Sequence, residues 1–276
     1  MYRKIVADST ANLVDKANKY LASVPLKVIT DEREFIDDEN LDIEEMSKYL
    51  KEYKGRSSTS CPGVADWLES FGDADEVFGV CLTSKISGGY NAAMTAAAQY
   101  MEEHPGRKVH MVDTHTTGPE LEVLVEKLQE LCATDKTFEE IVEEITEYNK
   151  HTNLMFALAS VDNFAKNGRV NPLVAKAASV LGIRIVGRAS EEGELEPISK
   201  IRGEKAAIAK LADYIVEEGF NGGRIIIRHS FNENAAKALA DKILSKFPDC
   251  NLSIDINFGL CVYYAEPGSI LVGFEN

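Results

Sequence analysis

Two rhythms of apolar residues alternate along the first half of the chain. Short apolar runs, "KIVAD" (4–8), "SVPLKVI" (23–29), "EVFGVCL" (76–82) and "KVHMVD" (108–113), read as buried strands. Between them the spacing turns helical. Residues 11–20 carry it, as does "LDIEEMSKYLKEY", with Leu41, Ile43, Met46, Tyr49 and Leu50 on one face and acids near its start. The alanine-rich "YNAAMTAAAQYM" and residues 120–132 complete the set. Strands alternating with helices to about residue 150 predict an α/β layer on a largely parallel sheet. Glu139-Glu140 and Glu143-Glu144 fit the solvated face of a lysine-poor helix, and Asp37-Asp38-Glu39 fits a loop.

The second half follows a different pattern. "NLMFALAS" and "GIRIVGRA" read as strands, with short helical pieces at "VDNFAKNG" and "PLVAKAASVL" between them. "EEGELEPISKIRG" reads as a hairpin leading into a helix over residues 204–218. Then come strand "GRIIIRHS", helix "ENAAKALADKILSKF", and strands at "NLSIDIN", "LCVYY" and "SILVGF". This is an α+β pattern with antiparallel pairing. The chain is therefore expected to form two domains, residues 1–152 and 153–276, with a cleft between them as the default site.

Composition narrows the functions. The 276 residues carry a formal net charge of -15, which repels a phosphate backbone and argues against nucleic-acid binding. Cys61, Cys81, Cys132, Cys250 and Cys261 are odd in number and scattered, which fits a reducing cytoplasm; Cys81 and Cys261 lie in apolar runs and are expected to be buried. The N-terminus has no signal-peptide pattern, and no apolar run is long enough to span a membrane. Metal-ligand spacing such as H-E-x-x-H is missing, so neither metal nor cofactor is inferred.

In a parallel sheet, ligands sit beyond the carboxyl ends of the strands. Four such junctions here are rich in hydroxyls: Asp8-Ser9-Thr10, Ser57 to Ser60, Thr83 to Ser87 and Asp113 to Thr117. In "SSTSCPG", Pro62 suits a first helical turn with Ser60 or Cys61 as N-cap. Three readings stand open for that segment: a helix cap, a cysteine nucleophile at a helix start, or a cradle for an anion. A Cys61 nucleophile would need a base from among His110, His115, His151 and His229, none singled out by spacing. Ser87-Gly88-Gly89 offers a second helix start, where Ser87 can cap and the glycines let a ligand approach the backbone. It is neither a Walker loop nor a nucleophile elbow.

An ordered set of segments resembles the DegV family. "IVADSTANL", "VPLKV", "STSCPG", "TSKISGGYNAA", "VDTHTTG", "NFAKNGRV", "ISKIRGEKA" and "YYAEPGSILVGF" follow that family's motifs from residue 5 to 274. The resemblance implies two α/β domains with a long-chain fatty acid such as palmitate, stearate or oleate buried between them. It also implies a carrier that does no covalent chemistry alone and presents its lipid to a separate fatty acid kinase. The carboxylate hydroxyls map onto Thr59 or Ser60 and onto Ser87, beside Gly88, and the family arginine onto Arg169. Three departures stand out: Cys61 replaces a glutamine, Tyr264 and Glu266 replace the histidine and first glycine of H-x-G-P-G, and Arg184-Ile185 replaces lysine-proline. Tyr264 can still donate one hydrogen bond. The competing functions are an acyl hydrolase or transferase using Cys61 or Ser87, and a binder of another small anion.

Overall fold

The computed structural model describes residues 2–13, 18–170 and 182–276. The chain begins with β1 (Arg3–Asp8), a 3-10 turn at Ser9–Ala11 and β2 (Leu21–Val24). The helix expected over residues 11–20 falls partly outside the described residues, and what is described on either side is turn. Next come β3 (Lys27–Ile29), β4 (Glu34–Ile36), α1 (Ile43–Glu52), β5 (Ser58–Ser60) and α2 (Val64–Phe71). They are followed by β6 (Glu76–Cys81), α3 (Gly89–Glu103), β7 (Lys108–Asp113), α4 (Pro119–Cys132) and α5 (Phe138–Tyr148).

Strands β2-β1-β6-β7 form one wholly parallel sheet, as the alternation predicts. "SVPLKVI" is not a single strand. Pro25 interrupts it, having no N–H for a ladder, and β3 pairs antiparallel with β4 and β5 in a separate small sheet. That small sheet carries the Ser58–Ser60 hydroxyls. Asp37, expected in a loop, is 2% exposed. Its Oδ2 accepts from Ser9 Oγ (2.7 Å) and from the Leu260 amide (2.9 Å), joining residues far apart in sequence.

The second half contains β8 (Thr152–Leu158), α6 (Asp162–Lys166), β9 (Ile183–Ala189), β10 (Leu195–Arg202) and α7 (Glu204–Glu217). It closes with β11 (Arg224–His229), α8 (Glu233–Lys246), β12 (Asn251–Ile256), α9 (Gly259–Ala265) and β13 (Ile270–Glu275). The sheet order is β10-β9-β8-β13-β11-β12, antiparallel except for the β11–β12 pair. "LCVYY", expected as a strand, is helix α9. Leu260, Cys261, Val262, Tyr263 and Ala265 are all buried, and a short run that is apolar on every side does not separate strand from buried helix by periodicity. The helical piece "PLVAKAASVL" lies outside the described residues.

Helix α4 joins the two sheets. It packs against β1 and β6 on one side and against β8, β11 and β13 on the other. Leu121, Val123, Leu124, Val125 and Leu128 are all fully buried, as a helix covered on most of its sides requires. Its polar stripe is equally specific. Glu122, Glu126 and Glu130, four apart, meet Arg228 and Arg224, which project from the same face of β11. Arg228 Nε donates to Glu122 Oε2 at 2.9 Å, and its Nη2 reaches the other carboxylate oxygen, a bidentate pair with little exposure.

Candidate functional site

The hydroxyl-rich strand ends are bound to one another before they can bind anything else. Asp8, fully buried at the end of β1, accepts at Oδ1 from the Thr10 amide (3.0 Å) and at Oδ2 from the Leu82 amide (2.6 Å). Burial raises its carboxyl above the ordinary range, against the pull of those donors. Thr114 Oγ1 donates to the Cys81 carbonyl (2.8 Å), and the Thr83 amide to the Thr116 carbonyl (2.8 Å). Three of the four junctions thus form one laced surface.

The fourth junction, Ser57 to Gly63, stands opposite α9. Thr59 Oγ1 lies 2.8 Å from Tyr264 Oη, and Ser57 Oγ lies 2.8 Å from Tyr263 Oη. The N-cap of α2 is Gly63, whose amide donates to Asp66 Oδ2 at 2.7 Å, and not Ser60 or Cys61. Ser58 to Ser60 is extended because it pairs with β3, which leaves the Thr59 and Ser60 side chains free of capping. At α3, Ser87 Oγ accepts from the Gly89 amide (3.1 Å), while Gly88 occupies the N-cap position. A Cβ on Gly88 would stand 3.8 Å from Cys61 Sγ, and one on Gly89 would stand 3.6 Å from Cys61 Cβ. The two helix-start motifs are therefore in contact.

Together these segments wall a cavity of about 290 Å³, lined by residues from both halves of the chain. Thr59, Ser60, Ser87, Gly88, Arg169 and Tyr264, singled out in the sequence, all line it. Arg169 donates from Nε to the Ile86 carbonyl (3.0 Å) and from Nη1 to the Asn167 carbonyl (2.6 Å), with no carboxylate partner among the described residues. Burial raises the Tyr264 phenol above its usual value, so it stands as a neutral donor, with its ring stacked on Phe164 at 4.7 Å. The remaining wall is hydrocarbon. Leu154, Phe156 and Leu158 alternate along one face of β8, joined by Leu82, Leu195 and Leu271.

Sequence reasoning did not separate this wall from ordinary core. The period-two alternation of Leu154, Phe156 and Leu158 was the available signal, but β8 is apolar on both faces. Ala92 and Ala93 of α3 pack in the core on the α2–α3 side, away from the cavity, and Met94 is exposed. Thr10 and Thr117 line the cavity from two more of the hydroxyl-rich junctions. Cys81 is buried, and Cys261, also buried, faces the cavity. Cys61 is exposed at the cavity wall, where no histidine is among the described lining residues. Among the described residues, no cluster of three or more His, Cys, Asp or Glu could hold a metal ion, and no helix is long and apolar enough to cross a membrane.

The sequence departures have structural places. Glu266 has a left-handed backbone (φ 59°), a conformation in which glycine is unstrained. Its Oε1 accepts from Ser160 Oγ (2.9 Å) and the Asn163 amide (3.0 Å), fixing the start of α6. Arg184 Nη1 donates to the Gly268 carbonyl (2.6 Å), and Ile185 is core.

Comparison with known proteins agrees along the whole length. A family described as "Uncharacterised protein, DegV family" matches residues 3–275. A DegV domain-containing protein of Streptococcus pneumoniae is 39% identical over 99% of this chain and 98% of its own. The crystal structure of a DegV family protein from Eubacterium eligens, loaded with heptadecanoic acid, superposes with a TM-score of 0.96 at 43% identity, covering 99% of each chain. The Streptococcus pneumoniae Fatty Acid Kinase (Fak) B3 protein, loaded with linoleic acid, also gives 0.96, at 39% identity over 100% of this chain and 99% of that one.

Proposed function

The chain belongs to the DegV family, and we propose that it binds a long-chain fatty acid and presents it to a separate fatty acid kinase. The carboxylate is held by Thr59, Ser60, Ser87, the Gly88 backbone, Arg169 and Tyr264, and the acyl chain fills the cavity between the sheets. The observation that carries this reading is how the cavity is divided. Hydroxyls and a guanidinium gather on contacting loops, and leucine and phenylalanine side chains form the rest. A carboxylate can take charge-assisted hydrogen bonds from that end, while each buried methylene adds about 0.8 kcal/mol. Phosphorylation of the acid then belongs to the kinase, and this chain supplies binding and orientation. Palmitate, stearate and oleate are the acids expected, cytoplasm is the expected location, and residues 1–152 and 153–276 are the proposed domains, with β8 opening the second sheet at Thr152.

Solvent extraction of the purified protein followed by mass spectrometry tests the reading. A fatty acid recovered in proportion to protein is the expected result. Repeated preparations that yield none, and that take up neither added palmitate nor added oleate, would overturn it.

A further inference from the structure

We propose that His115 is a positioning residue that latches the β9–β10 hairpin tip over the ligand cavity, so that ligand release is linked to protonation of its imidazole; this rests on the fatty-acid reading above. His115 lies in the polar turn after β7, with a left-handed backbone (φ 53°) uncommon outside glycine. Both ring nitrogens are engaged. Nδ1 is 2.8 Å from the Glu191 carbonyl oxygen at the hairpin tip, and Nε2 is 2.9 Å from Asp113 Oδ2 at the end of β7. Both partners only accept, and only the imidazolium can donate from both nitrogens. A neutral ring satisfies one contact and loses the other.

The tip is shaped to sit there. Gly193 approaches so closely that a Cβ would stand 2.1 Å from Thr83 Oγ1 and 3.0 Å from the His115 carbonyl oxygen. The turn is closed on itself, with the Ser190 amide donating to the Glu194 carbonyl and the Gly193 amide to the Ser190 carbonyl, each at 2.9 Å. Cavity walls begin immediately beside these contacts: Leu195 follows the tip, and Leu82 and Ile86 flank Thr83. Lifting the tip would therefore draw Leu195 away from the cavity wall.

The groups facing the ring are the Glu191 carbonyl and Asp113, which favour the imidazolium, and Lys85, which opposes it. Glu192 on the tip pairs with Lys85 at 3.7 Å, and Tyr90 of α3 faces Asp113. The Glu191 hydrogen bond, then the Asp113 one, hold the imidazole above its usual value. A group whose pKa is raised in the closed arrangement adds its stabilisation fully below its ordinary value, about 6.5, and loses it as pH rises through the raised one.

The test follows displacement of bound cis-parinaric acid, a fluorescent fatty acid, by excess oleate between about pH 6 and about pH 8, the span in which histidine titrates. Dissociation from the native protein is expected to quicken severalfold as pH rises. In His115→Asn, which tolerates the left-handed backbone but does not titrate, it is expected to be fast and flat. The ligand's own carboxyl is common to both proteins, so the comparison isolates the imidazole. NMR titration supplies a second readout: His115 should keep its proton to higher pH in the native protein than in Asp113→Asn. Dissociation indifferent to pH in the loaded native protein, or a pH dependence that survives His115→Asn, would overturn the latch and leave fatty-acid binding standing. If neither parinaric acid nor oleate binds at all, the fatty-acid reading falls and the latch with it.

Discussion

On the proposed reading, Tyr264 acts on the bound carboxylate through its neighbour Thr59. If the buried phenol donates to Thr59 Oγ1 across their 2.8 Å contact, the threonine hydroxyl proton is left to point into the cavity. Tyr264→Phe keeps the ring stacked on Phe164 and deletes only that donor, so fatty-acid affinity should fall by about 0.5–1.5 kcal/mol with little change in melting temperature. Thr59→Ala with Ser87→Ala should weaken retention by roughly a hundredfold or more, since each hydrogen bond to a charged group contributes about 1.5–3 kcal/mol; competition binding would check both. Asp37 makes a different prediction. Burial pushes its carboxyl up to about 7. The folded chain therefore holds this proton where the unfolded chain has lost it, and stability falls as pH rises from the ordinary carboxylate range, about 3.9, to that value. Asp37→Asn does not titrate, so the loss of melting temperature between about pH 5 and about pH 8 should be smaller than in the native protein. The cavity hydroxyls were legible in the sequence because they cluster at strand ends. Asp37 was not, because nothing in "DDEN" shows that its first acid turns inward to meet an amide more than two hundred residues away.

Most elements followed from apolar spacing, and the failures share a cause. Residues 23–29 and 260–264 are apolar runs whose fate depends on distant partners. One divides at Pro25 because β3 finds β4 and β5, and the other coils because it is enclosed between the Ser9–Ala11 turn, α6 and β3. The cavity wall was hidden for a related reason: β8 is buried on both faces, so alternation could not say which face packs in core and which lines the cavity. Strand β9 gives a prediction at this scale. Gly187 lies between Phe156 on β8 and Pro197 on β10, and a Cβ there would stand 2.3 Å from the Glu196 carbonyl oxygen and 2.7 Å from the Phe156 ring. Gly187→Ala should cost about 1–3 kcal/mol of stability and, by driving Phe156 into the cavity, shorten the acyl chains accepted. Denaturant melts and the chain-length profile of extracted lipid would measure the two effects separately.

At the scale of the whole molecule, α4 determines what can move. The Arg228–Glu122 pair has little exposure on either side, so removing Glu122 leaves the buried Arg228 with only the exposed Asp255 carboxylate, 3.1 Å from its Nη1, as a counter-charge. Glu122→Ala should therefore destabilise the fold by about 3–5 kcal/mol, and replacing both residues with apolar ones of similar volume should recover most of it, as measured by chemical denaturation. The pairing of a parallel sheet with a mostly antiparallel one was readable from the change of rhythm near residue 150, whereas the small β3–β4–β5 sheet was not. That a single helix serves both sheets was not, since apolar residues spread widely around a helix do not name its neighbours. A helix shared in this way is a rivet and not a hinge. For the sheets to swing apart, α4 would have to expose its leucines and strip its carboxylates of their arginines, which amounts to unfolding. On the proposed reading, exchange of a bound acid therefore proceeds with the frame intact, through the loops at its rim, and amide protons of α4 should exchange with solvent only as slowly as the protein unfolds, whether or not added fatty acid is turning over.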